Sequence, residues 1–174
     1  MEEFGWLSDP QIVMSGIGGV FFGLLFPVMH AWWRRRKERL GELHALNAEL
    51  CLAAERMTAL PIAGITAPLY HLPLTMFGLA APRLIGEGHL NQMEITALVE
   101  YMARAEELNR GLERARAAHA AHGEIETEYQ RNCEKAKGIL NTKIDLFGGV
   151  SLVDAVRGSI GRLHDRLYGP VSFG

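Results

Sequence analysis

Apolar and polar positions along this chain follow two patterns that meet at Trp33. From Ile12 to Trp33, 22 residues pass without an Asp, Glu, Lys or Arg, and Arg34, Arg35, Arg36, Lys37 and Arg39 follow at once. A helix of that length rises about 33 Å, enough for roughly 30 Å of hydrocarbon. An isolated span must satisfy its own backbone polar groups, which only a helix does. The first pattern therefore predicts a transmembrane helix over 11–33, after a short tail at 1–10.

After Trp33, apolar residues recur at steps of three and four, the helical period. Leu43, Leu46, Leu50, Ala53, Met57 and Leu60 form one stripe, widened by Leu40, Asn47 and Ala54 to the breadth of a bundle helix. Asn91 with Glu94 is a capping pair that opens a long helix carrying Ile95, Leu98, Met102, Ala105, Leu108, Leu112 and Ala115. Glu100, Arg104, Glu107, Arg110, Glu113 and Arg114 keep its other face wet. Gly123 interrupts it. A second stripe runs through Ile125, Tyr129, Cys133, Ala136, Leu140, Ile144 and Phe147 to Gly148-Gly149. Ser151 with Asp154 caps a last helix bearing Leu152, Val156, Ile160, Leu163 and Leu167, stopped by Gly169-Pro170. No stretch alternates with period two, so the expected class is all-α: one N-terminal transmembrane helix, then a small helical bundle over 34–174.

Between Met57 and Pro82 there is no charged side chain, and Pro61, Pro68, Pro73 and Pro82 punctuate the stretch. Proline fits the first position of a helix. Two short helical turns starting at Pro68 and Pro73 are expected, packed over the long helices as an apolar lid within 57–88. A second span or a re-entrant segment is the competing reading. The prolines, His71 and two glycines make it far less helical and less apolar than Ile12–Trp33.

Charge sets the orientation. Glu2, Glu3 and Asp9 precede the apolar run and no cation does, whereas five cations follow it. Positive charge stays inside. The N-terminus is expected outside and 34–174 in the cytoplasm of a bacterial cell, with the span in its inner membrane. Trp32 and Trp33, with Arg34, Arg35, Arg36, Lys37 and Arg39, mark the headgroup border, and membrane lipids are the first expected partner. A cleaved signal peptide would carry its charge before the apolar run. Ser15, Gly19 and Gly23 repeat every fourth residue, a spacing that lets two membrane helices approach closely. The net charge of −2 and the absence of any basic cluster beyond the collar leave no nucleic-acid footprint.

Little of the remaining chemistry converges. Cys51 and Cys133 lack metal or redox spacing, and both are expected as buried thiols. His119 and His122 are three apart with Glu126 beyond, too few ligands for zinc and better suited to a wet helix end. Gly16-Ile17-Gly18-Gly19 lies inside the apolar run, and Gly148-Gly149 lacks the lysine and strand of a nucleotide loop. No catalytic residue, metal or cofactor is nominated.

Leu72-Pro73-Leu74-Thr75, Glu94–Tyr101 and Glu106-Glu107-Leu108-Asn109-Arg110 together resemble a pattern in uncharacterised small bacterial single-pass membrane proteins. The likeness covers roughly 10–115, but no tryptophan follows Pro73 here and the prolines are more numerous. The resemblance implies one span and a short cytoplasmic helical domain, and no activity. Asn109 is read either as a buried polar residue that fixes helix register or as a surface amide. The function expected is that of a membrane anchor or scaffold whose bundle binds itself or a protein partner. A membrane-perturbing protein, such as a phage lysis component or toxin-like effector, is the second reading. An enzyme on a membrane substrate, with His71, His89, His119 or His164 as acid or base, is the third.

Overall fold

The computed structural model describes residues 10–63, 71–121 and 125–169, without the side chains of 10–22, Leu24, 62–63, Ala120 and 125–126. Among the described residues it is built of five helices and one small two-stranded pairing: α1 (Pro10–Ala63), α2 (Thr75–Gly86), α3 (Gln92–Ala120), α4 (Ile125–Asn141), β1 (Lys143–Ile144), β2 (Val150–Ser151) and α5 (Leu152–Tyr168). Backbone contacts divide the chain after Gly41 into two units, with α1 contributing to both.

In the first unit, Leu25, Phe26, Val28, Met29, Trp32 and Trp33 are all exposed. Among the described residues no helix is long and apolar enough to cross a membrane. The expected span falls mainly on residues 12–22 and Leu24, whose side chains lie outside the described ones.

The second unit is an all-α bundle, as the periodicity predicts. Leu43, Leu46, Leu50, Ala53 and Met57 of α1 are buried with Phe77, Ala80 and Leu84 of α2, Leu98, Tyr101, Leu108 and Leu112 of α3, Ala136 and Ile139 of α4, and Val156, Ile160 and Leu163 of α5. Both expected caps form. The Asn91 side chain accepts from the Glu94 N–H at 2.9 Å while Glu94 accepts from the Asn91 N–H at 3.0 Å, and the Asp154 N–H donates to Ser151 Oγ at 3.2 Å. Gly169, at φ +88°, follows the last residue of α5.

Three local expectations need correction. Of the Pro-rich stretch, residues 57–63 with Pro61 end α1, and a helix, α2, begins at Thr75 rather than at Pro73; Pro68 lies outside the described residues. No side chain at its own N-terminus caps it. Instead the Glu49 carboxylate on α1 accepts from the Met76 and Phe77 N–H groups at 3.1 and 2.9 Å. Pro82 sits inside α2 and deprives the Gly78 carbonyl of its partner; both residues are exposed, so water is available to that carbonyl.

Secondly, α4 ends at Asn141, six residues short of Phe147. The chain turns through β1, a 3-10 turn over Asp145–Phe147, and β2, with Lys143 opposite Ser151 and Ile144 opposite Val150. Ile144 and Phe147 still face the core, so their spacing signalled burial and not helix. Gly148 and Gly149, at φ +76° and +75°, supply the left-handed backbone that closes the pairing. Thirdly, Cys51 is exposed, because it stands about 100° round the helix from Leu50 and off the apolar stripe.

Candidate functional site

The first unit carries an apolar band followed by cations. The Arg36 guanidinium lies 5.3 Å from the centre of the Trp32 ring, and the Lys37 ammonium lies 5.5 Å from that of Trp33. Both pairs are four apart, so each cation reaches one turn back over a ring face. Arg34 donates to Glu38 at 2.9 Å. Phe26 and His30 stack one turn earlier, with ring centres 6.4 Å apart. Of the small-residue stripe, Gly23 is exposed and has nothing within 4 Å of the position a Cβ would take. Ser15 and Gly19 lie outside the residues whose side chains are described.

In the second unit, polar side chains hold the chain on either side of residues 64–70. The Tyr129 hydroxyl donates to the Leu60 carbonyl, and Arg56 donates to that of His71. Asn109 is half-buried; its Oδ1 accepts from the Leu72 N–H at 2.6 Å and its Nδ2 donates to the Leu72 carbonyl at 3.0 Å. Glu49 then takes the first free N–H groups of α2. Tyr101 packs on Phe77 with ring centres 4.8 Å apart, and burial, with the nearby Glu49 charge, pushes its phenol well above the ordinary range. Its hydroxyl has no hydrogen-bond partner among the described residues.

A second polar cluster joins α3 to α5. Glu94, the capping carboxylate, is only 1 % exposed and accepts from Arg162 Nε at 3.0 Å and Arg166 Nη2 at 2.5 Å. Burial pushes its carboxyl up, but Arg166, the Asn91 N–H and Arg162 outweigh that and leave it below the usual range. Glu49 and Glu94 escaped sequence reasoning as tertiary partners. The capping motif flagged Glu94 only locally, and Glu49 sits at the edge of the α1 stripe like any solvated residue.

The groove between α3 and α4, about 810 Å³, is lined by Glu100, Arg104, Glu107, Arg110, Arg114 and Lys135. Three of its four cations are paired: Arg104 with Glu100 at 2.8 Å, Lys135 with Glu107 at 2.7 Å and Arg114 with Glu128 at 3.1 Å. It is a solvated charged face in which most charges are answered locally.

The four histidines weighed as acid or base stand in separate surroundings. His71 is half-buried, 3.8 Å from Glu113. His89 and His119 are exposed. His164 is buried in α5 and stacks on His44, with ring centres 6.1 Å apart. His122 lies outside the described residues and the Glu126 side chain is not described. Among the described residues no group of three or more His, Cys, Asp or Glu is placed to hold a metal ion. Burial raises the Cys133 thiol above its ordinary value, which makes it a poor nucleophile. Among the described residues these side chains hold helices and chain segments in place. Comparison of the chain with models of protein families, with curated proteins and with solved structures finds no match.

Proposed function

We propose that this chain is a single-pass anchor or scaffold protein of a bacterial inner membrane. Its N-terminus is outside, and its cytoplasmic helical bundle binds a second copy or a protein partner. The observation that carries the reading is the 22-residue uncharged run closed by five cations, with acidic residues alone before it. The exposed apolar residues from Leu25 to Trp33 support it, since a continuous band of this kind in water would be an aggregation hazard. Holding the bundle at the membrane raises its effective concentration toward partners on the same surface.

Cys51 provides the test. It is exposed, and the less accessible Cys133 is removed as Cys133→Ala. The full chain is expected to stay with membranes through alkaline carbonate washing. An impermeant maleimide should label Cys51 only after the cells are opened. Release by carbonate overturns the anchor, and labelling in intact cells overturns the orientation.

A further inference from the structure

We propose that the collar at Trp32–Arg39 is a binding site for anionic phospholipid headgroups, an inference that rests on the membrane-anchor reading. Arg34, Arg35, Arg36 and Lys37 lie at successive 100° steps and so surround the helix, with Arg39 two steps further on. Only Glu38 opposes them within this stretch, and it faces Arg34. The stretch Trp32–Arg39 thus holds five cations to one carboxylate in sequence.

Its neighbours identify the ligand. A polyanion in water, such as nucleic acid or an acidic protein segment, offers nothing to the exposed Phe26, Met29, Trp32 and Trp33 one turn away. An anionic lipid offers both a phosphate for the cations and an acyl chain for the apolar band. Arg36 and Lys37 fold back over Trp32 and Trp33, which brings their charges toward the ring level. Seven residue steps from Trp32 to Arg39 rise about 10 Å, close to the roughly 5–8 Å headgroup layer on one side of a bilayer. The collar therefore meets phosphates along most of its length.

The chain has three tryptophans, so Trp6→Phe leaves fluorescence from Trp32 and Trp33 alone. The full chain is reconstituted into phosphatidylcholine vesicles containing an equal minor fraction of brominated phosphatidylglycerol or of brominated phosphatidylcholine. Anionic brominated lipid is expected to quench about two-fold or more strongly, because each cation near an anionic surface favours contact about five-fold before screening. The excess should vanish at 1 M salt and in the Arg35→Gln, Arg36→Gln, Lys37→Gln, Arg39→Gln variant. Equal quenching by both lipids overturns headgroup recognition and leaves the anchor standing. No quenching by either, with the chain left behind when the vesicles are floated, overturns both.

Discussion

Glu94 shows how one side chain comes to serve two levels of structure. As the third residue of α3 it completes the capping box, and its 1 % exposed carboxylate also receives Arg162 and Arg166 from α5. A buried carboxylate is costly to keep charged, and here three donors more than offset the cost. Its folded pKa lies below the ordinary glutamate value. Such a group contributes its full stability above the unfolded pKa and loses it as pH falls through the folded one. Glu94→Gln is therefore expected to melt well below the parent at pH 7. The difference should shrink steadily from about pH 4.5 downward. Far-UV circular dichroism melts of the detergent-solubilised chain at a series of pH values check this. A difference that stays constant between pH 7 and pH 3 would remove the charged cluster as its source.

At the level of elements, α3 and α4 approach closely at one crossing. Gly111 on α3 is buried, and a Cβ there would overlap the amide oxygen of Asn132 on α4. Asn132 is fully buried and its amide has no hydrogen-bond partner among the described residues. Gly111→Ala is expected to cost about 1–3 kcal/mol through overpacking, despite the better helix propensity of alanine. Asn132→Ala removes the clashing group, so the double variant should recover most of that loss. Melting temperatures of the two single variants and the pair make the cycle, and strict additivity would rule out the contact. Nothing in the sequence marks this crossing: Gly111 reads as a weak helix residue and Asn132 as a wet one. What the sequence does reveal is a set of features fixed within one turn. The Asn91–Glu94 and Ser151–Asp154 caps and the α1 and α3 stripes follow from local spacing, and all appear in the fold. What stays hidden depends on a partner far along the chain. The start of α2 is set by Glu49, 27 residues earlier, and the α4 stripe passes inward into a turn through Ile144 and Phe147. Asn109 was legible only as an ambiguity. Its two bonds to the Leu72 backbone make it a clasp on the chain entering α2, where either sequence reading alone falls short.

For the molecule as a whole, the open question is whether one copy acts alone, and Gly23 gives a way to ask it. Within the chain, its Cβ position is empty and the residue is exposed. A larger side chain there meets no neighbour from the same copy, and leucine is a better helix former than glycine by roughly 1 kcal/mol. Gly19→Leu with Gly23→Leu should thus leave the helix intact or strengthen it. A contact between copies behaves in the opposite way. Small residues four apart allow backbones to approach closely, and two leucines would force the helices apart. Self-association in a membrane two-hybrid assay is expected to fall several-fold in this variant. Leu25→Phe lies about 160° round the helix from Gly23 and should leave the signal unchanged. Equal losses from both substitutions would point to a general effect on insertion. No loss from the glycine pair would mean that any pairing of copies does not use the Ser15, Gly19 and Gly23 stripe.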